Sequence, residues 1–339
     1  MPKKILYILF LCLAIQALAQ HNVHIDATLV PLKKTLSIKQ EITYKNTSAD
    51  TLRELYLFDW ANSFSTKTSP LGQRFAENYN SSFHFEKNED RGKTTIEKIY
   101  GNTLVPLQWQ RGDEVDIIRV IPEKPLLPHN SYTFSLEYAV KLPDSKFTRY
   151  GVDKNGDYKL KYWYISPAVY NGEWQIYSNK NTDDLFLTPS EFSVTLHLPK
   201  NYTIVSDFNV IEENTSQNTK SISLSAEKRT NLTIYLEKNS TFETIETDKL
   251  KVITNLQNSK VNPPVQALMI DRIVHFLDER LGPYPFEKMV ISETDYKTNP
   301  VYGLNQLPRF ISPFPDGFEY DMEQLKTITR HYIDNTLIM

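Results

Sequence analysis

Leu36-Ser37-Ile38-Lys39-Gln40-Glu41-Ile42-Thr43-Tyr44 sets apolar residues at 36, 38, 42 and 44 against polar neighbours, between Pro31 and Asn46. A period of two sends successive side chains to opposite faces, so the stretch predicts a strand with one buried and one solvated face. The same period recurs at Tyr132, Phe134, Leu136, Tyr138 and Val140, then at Phe192, Val194, Leu196 and Leu198, and at Leu232, Ile234 and Leu236. Turn signals separate these runs: Pro143-Asp144, Asn155-Gly156, Asn171-Gly172 and Pro199-Lys200-Asn201. Many short alternating strands with such punctuation predict a mainly β, antiparallel sandwich for the first two-thirds of the chain. The stretch from Asn62 to Glu97 is more polar and less periodic, and predicts an excursion or flap with some helix. No internal repeat or low-complexity tract interrupts the pattern.

The pattern changes near Thr247. A last strand from Leu250 to Leu256 leads to Asn262-Pro263-Pro264, a fair helix start with proline in the first turn. Leu268, Ile273, Phe276, Leu277 and Leu281 fall close to helical spacing, and Gly282-Pro283 ends the helix. Met289 to Ser292 reads as a strand. A loop rich in Pro, Asn and Gly then runs to Gly317, before a final helix-like run from Glu319. This reading divides the chain into 1–19, a signal peptide; 20–246, the β-sandwich; and 247–339, the start of an α+β domain.

The N-terminus has Lys3 and Lys4, an apolar stretch from Ile5 to Ile15, and Ala17-Leu18-Ala19. This is the layout of a cleavable signal peptide, and the apolar stretch is shorter than the roughly 20 residues a membrane span takes. The expectation is an exported protein, periplasmic or secreted, with no membrane span after cleavage. Cys12 is the only cysteine of the 339 residues and follows the bulky Leu11, which argues against a lipoprotein; the mature chain then has neither disulfides nor thiol chemistry. Net charge is −3 with Lys and Arg scattered, which excludes the concentrated basic face that nucleic acid requires.

Ile42-Thr43-Tyr44-Lys45-Asn46-Thr47-Ser48, Asp50-Thr51-Leu52, Leu55-Tyr56-Leu57 and Asn62 resemble the first strands of aminopeptidase N-like zinc metallopeptidases, gluzincins in the form found in Bacteroidetes-type bacteria. Phe192-Ser193-Val194-Thr195-Leu196 with Pro199 and Val205-Ser206 resembles later strands of the same N-terminal domain. Leu281-Gly282-Pro283-Tyr284-Pro285-Phe286-Glu287-Lys288 resembles the segment that opens the thermolysin-like catalytic domain. The resemblance implies a saddle-like sandwich followed by an incomplete, truncated thermolysin-like domain. It implies zinc as the family's cofactor and peptides as its substrates.

Carried over residue by residue, the resemblance loses the chemistry. In the family, the Glu of Gly-x-Met-Glu-Asn binds the free amine of the substrate. Aligning on Gly303 within Tyr302-Gly303-Leu304-Asn305-Gln306 puts Asn305 there, a neutral amide that cannot pair with an ammonium as a carboxylate does. The two histidines of His-Glu-x-x-His sit one helical turn apart so that both reach one zinc, while the Glu activates water. Arg330 and Asp334 stand at the ligand positions here and His331 at the base position; a third ligand would fall past Met339. His331 and Asp334 alone make a poor zinc site. No zinc or other cofactor is expected.

Other groupings take bland readings. His21 and His24 read as a frayed polar start to a strand, Asp271, His275 and Glu279 as a solvated helix face, and Asp153, Asn155 and Asp157 as a hairpin turn rather than a calcium loop. Tyr158, Tyr162, Trp163, Tyr164, Tyr170, Trp174 and Tyr177 crowd one short region. They are read as core packing first, with Tyr162 and Tyr164 on one strand face and Trp163 on the other. A stacking surface for peptide or protein segments is the second reading, with Gly303, Asn305, Trp163 and Trp174 as substrate-binding candidates. Two functions follow: an exported, non-catalytic aminopeptidase-like protein that acts by binding, or the N-terminal fragment of a longer zinc aminopeptidase. The apolar end Leu337-Ile338-Met339 predicts a C-terminal part less protected than the sandwich.

Overall fold

The computed structural model describes residues 20–146, 148, 150–180, 186–256, 263–292 and 327–333. A seven-stranded sheet organises most of them. Its order is Asn209–Thr215, Thr219–Arg229, Ser190–Pro199, His21–Val30, Thr35–Lys45, Ser131–Lys141 and Lys93–Tyr100. Alternation is the reason these segments are strands: in Ser131–Lys141 every second residue from Tyr132 to Val140 is buried, and Thr35–Lys45 buries Leu36, Ile38, Gln40, Ile42 and Tyr44. The expected flap contributes helices Pro70–Glu77 and Ser82–Phe85, but Lys93–Tyr100 leaves it to form the sheet edge.

Two four-stranded sheets cover the inner face. One has the order Ser166–Pro167, Leu55–Phe58, Ile117–Ile121, Gln108–Arg111; the other Thr203–Val205, Ile234–Glu237, Tyr158–Leu160, Gly151–Val152. Ile25, Ile38, Phe134 and Leu196 of the large sheet share one buried cluster with Leu57, Val120, Leu160 and Ile234 of the smaller ones. A buried polar relay crosses this core. Gln40 Nε2 donates to Ile165 O at 2.7 Å, the Tyr138 hydroxyl donates to Gln40 Oε1, and Ile165 N donates to the Tyr138 oxygen at 3.1 Å. Every partner is used, which is why a glutamine and a tyrosine are tolerated there.

The expectation of a purely antiparallel arrangement is corrected. His21–Val30 runs parallel to Ser190–Pro199, from His21↔Ser190 to Thr28↔His197, while its other neighbour, Thr35–Lys45, is antiparallel. A parallel pair needs a long connection, and everything from Thr35 to Pro189 supplies it.

Beyond the sandwich, Glu243–Glu246, Lys251–Thr254 and Lys288–Ile291 form a three-stranded sheet whose last pair is parallel, bridged by helix Pro263–Leu281. The helix ends as expected: Gly282 takes a φ of +96°, and its N–H reaches Asp278 O at 3.0 Å. Its buried stripe differs from the sequence reading. Ile270, Val274 and Leu277 face Val252, Met289 and Ile291, whereas Leu268 and Phe276 are exposed. Those five positions carry enough apolar residues for either stripe, and the sheet decides between them. Residues 327–333 are helical, and Ile328 and Tyr332 complete this core. Val205 and Tyr235 of the sandwich pack on Val290, so the two parts share an apolar contact.

Candidate binding surface

Three aromatic residues stand half-buried where a short hairpin meets strand Leu55–Phe58. The Trp174 ring lies 5.3 Å from Tyr56 and 5.2 Å from Tyr170 in an edge-on contact, and 6.0 Å from the buried Tyr44. Trp174 and Tyr170 belong to the short hairpin Val169–Tyr170 and Trp174–Gln175, whose turn Asn171-Gly172 places Gly172 at φ +74°. The hairpin carries the indole, and Tyr177 continues the ledge, 5.9 Å from Phe58.

Carboxylates fix the hydroxyl ends. Tyr170 donates to Asp50 Oδ2 at 3.0 Å, and Tyr56 donates to Glu54 Oε1 at 3.0 Å. Arg119 Nε donates to Glu54 Oε2 at 2.5 Å. The hydrogen bond to Asp50 pushes the Tyr170 phenol above its ordinary range; burial, then Glu54, does the same to Tyr56. The result is a row of ring faces with neutral, oriented phenols, suited to stacking and hydrogen bonding rather than to proton transfer.

A buried polar cluster that sequence reading missed fastens this ledge from beneath. Asp116 accepts from Ser178 Oγ at 2.5 Å and from Asn179 N at 2.7 Å, and Asn179 Nδ2 donates to Ser63 Oγ at 2.8 Å. Next to it, Asp59 accepts from Thr94 Oγ1 at 2.6 Å and from Arg111 Nη2 at 2.5 Å, and its N–H donates to Asp116 O at 2.8 Å. Desolvation pushes both carboxyl groups above the ordinary range. The residues are scattered from 59 to 179, so nothing in local spacing signals the cluster.

The other members of the aromatic cluster are core. Trp163 is 2 % exposed and its Nε1 donates to Leu232 O at 3.1 Å, which removes it as a ligand contact. The expected alternation across Tyr162, Trp163 and Tyr164 fails, because all three are buried. Tyr162 has a φ of +51°, so the strand stops at Leu160 and the backbone turns; the Tyr162 ring enters a separate cluster, edge-on to Trp60 at 4.4 Å. His21 also departs from expectation. It is 1 % exposed, stacked on Tyr44 at 4.4 Å, with Nδ1 accepting from Lys45 N at 3.2 Å. Burial lowers its pKa to about 3. The strand it opens lies at the centre of the sheet, not at a frayed edge.

Gly303, Asn305 and Asp334 lie outside the described residues. Arg330 and His331 are half-buried on the helix 327–333. Ile328 and Tyr332 are one turn apart and anchor its inner face, with the Tyr332 hydroxyl 3.5 Å from Val274 O. At 3.6 residues per turn, position 330 lies roughly 200° around the axis from 328. Elsewhere the helix face of Asp271 and His275 gains Asp248 from the preceding turn: His275 Nε2 is 2.7 Å from Asp248 Oδ1 and 3.9 Å from Asp271 Oδ1. One ligand atom from each lies within 4.8 Å of the others, Asp248 exposed and Asp271 and His275 half-buried. The contact of His275 Nε2 with Asp248 Oδ1 brings them together, and Glu279 is not among them.

No family model matches the chain, and no curated protein matches it. Solved structures do. A point mutant of the M1 zinc metallopeptidase from Deinococcus radiodurans is 12 % identical at a TM-score of 0.48, covering 81 % of this chain and 56 % of that one. The unmutated enzyme from Deinococcus radiodurans is 13 % identical at 0.46, with coverage of 81 % and 56 %. A two-domain M1 zinc metallopeptidase mutant bound to L-arginine is 14 % identical at 0.47, again with 81 % and 56 %. The chain thus spans little more than half the length of the solved structures to which it is similar.

Proposed function

We propose that this chain is an exported protein of aminopeptidase N-like ancestry that does not hydrolyse peptides and acts by holding peptide or protein segments. The observation that carries the reading is Arg330, which stands where the family's motif has its first zinc-binding histidine. A guanidinium stays protonated and offers only donors, so it has no lone pair for a metal. Asp334, at the second ligand position, and Asn305, at the amine anchor, remove two further groups that the chemistry needs. What remains for function is contact. Trp174, Tyr170 and Tyr56 provide faces and polar tips of the kind that hold extended peptide at small entropic cost.

The test is zinc content and hydrolysis of an alanine anilide by the purified chain in a His275→Ala background, which dismantles the trio of Asp248, Asp271 and His275 and with it a landing place for stray metal. The expected result is substoichiometric zinc and no hydrolysis. One zinc per chain in that background, or turnover that chelators abolish, sinks the reading.

A further inference from the structure

We propose that the cleft between the sandwich and the three-stranded sheet binds a single-chain fatty carboxylate, with the tail on the sandwich side and the head beside Lys251 and Lys288. The cleft holds about 270 Å3. Ile204, Phe208, Ile222 and Leu224 line it from the sandwich, and Ile253 from the three-stranded sheet. Val210 of the edge strand Asn209–Thr215 also lines it and is exposed. Size and donors select the ligand. Pockets for drug-sized molecules run to about 300–1,000 Å3, so this cleft admits one acyl chain and not a two-chain lipid. A bound peptide would bring backbone N–H and C=O groups that need partners. Besides the lysines, the polar side chains lining the cleft are Ser206 and Thr244. A methylene chain needs no such partners and gains from each CH2 it removes from water.

The small sheet supplies the charge. Val252, Met289 and Ile291 pack with helix Pro263–Leu281, so alternation turns Lys251, Ile253 and Lys288 to the other face, where all three line the cleft. Lys251 stands directly opposite Lys288 in the parallel pair, on strands about 4.8 Å apart. Like charges placed in this way repel. On its other side Lys251 is the register partner of Glu246, and its Nζ lies 2.8 Å from Glu246 Oε1. That carboxylate answers one of the two ammonium groups. Lys288 is half-buried and makes no ion pair among the described residues. The row Glu246, Lys251, Lys288 thus sets one negative charge against two positive ones. A ligand carboxylate seated beside Lys288 supplies the missing charge while its tail covers the apolar wall.

The experiment is calorimetric titration of the purified chain with decanoate below its micelle concentration, beside acetate, decyltrimethylammonium and an acetylated peptide acid ending in leucine. The expected result is one decanoate per chain, with acetate and the cation giving no saturable binding and the peptide binding more weakly. Lys288→Gln, which keeps the stem and loses the charge, should weaken decanoate about tenfold. Val210→Asp should weaken it as well, by setting a carboxylate against the tail. No saturable decanoate binding overturns the proposal, as does a decanoate affinity that Lys288→Gln leaves unchanged. Equal binding of decyltrimethylammonium would show an apolar surface without charge selection, and tighter binding of the peptide would show a peptide site; either result also overturns it.

Discussion

The Arg229 guanidinium sits over the Phe286 ring, 3.1 Å from its centroid, while Arg229 Nη1 holds Asp207 Oδ2 at 2.9 Å. One side chain thereby ties the end of a sandwich strand to the segment that follows helix Pro263–Leu281. Arg229 is 7 % exposed, and Asp207 and Phe286 are half-buried. Arg229→Ala leaves the Asp207 carboxylate without its partner and is expected to cost about 3–5 kcal/mol in urea denaturation. Arg229→Lys restores charge but neither the planar stack nor the fork, and recovers only part of the loss. Wild-type stability in Arg229→Ala would refute the assignment.

Acid should weaken the protein through His21. Its pKa is lowered from 6.5 to about 3, so between those values the unfolded chain binds a proton that the folded chain refuses. Stability then falls as pH drops through this window, by about 1.4 kcal/mol per pH unit at most. Asp59 and Asp116 act in the opposite sense, because their raised pKa values make the folded state take up protons first and gain stability in acid. His21→Asn keeps an acceptor for Lys45 N but does not titrate. Its stability should stay level or rise over the range in which the wild type declines; identical profiles would exclude His21 as the cause.

Trp163 and Trp174, eleven positions apart in sequence, should separate cleanly. Trp163→Ala empties a fully buried site and is expected to cost about 3–5 kcal/mol. Trp174→Ala should lower thermal stability far less, yet weaken peptide binding followed by tyrosine and tryptophan fluorescence or calorimetry. Unchanged peptide affinity in Trp174→Ala would remove the ledge as the binding surface.

Asp116→Ala unfastens Ser178 and Asn179. The loss of two buried hydrogen bonds to a carboxyl group predicts about 2–4 kcal/mol of destabilisation. It also predicts faster hydrogen exchange at 174–180 than elsewhere in the sandwich; exchange that rises uniformly would contradict a local clasp.

Arg330→His repairs one position of the zinc motif and leaves the others as they are. Zinc content and anilide hydrolysis should match the wild type, as checked by atomic absorption and a chromogenic assay. A gain of hydrolysis in this single variant would show that the remaining groups suffice.

The strands were legible because their signal is local. Leu36 to Tyr44 and Tyr132 to Val140 alternate over enough residues for burial on one face to be the only consistent outcome. Parallel pairing of His21–Val30 with Ser190–Pro199 was not, since no local pattern reports the direction of a neighbour so distant in sequence. Tyr162 to Tyr164 failed for a different reason: a left-handed residue breaks the period, and no glycine or asparagine marks the spot. The carboxylate cluster of Asp59 and Asp116 was invisible because its partners come from four separate segments. The resemblance at Tyr302 to Asp334 remains a matter of residue identity, which is where its argument about zinc rests.

The central place of the first strand has a consequence for biogenesis. As the chain is synthesised, His21–Val30 emerges early and can pair at once with Thr35–Lys45, but its other edge has to wait for Ser190–Pro199. For most of synthesis the sheet therefore presents an open parallel edge bordered by Val23, Ile25 and Ala27, all destined for the core. Such an edge invites strand exchange with other unfinished chains. A holdase that covers extended apolar segments as they emerge suits this topology, and the yield of folded chain should depend on it more than the stability of the finished fold suggests.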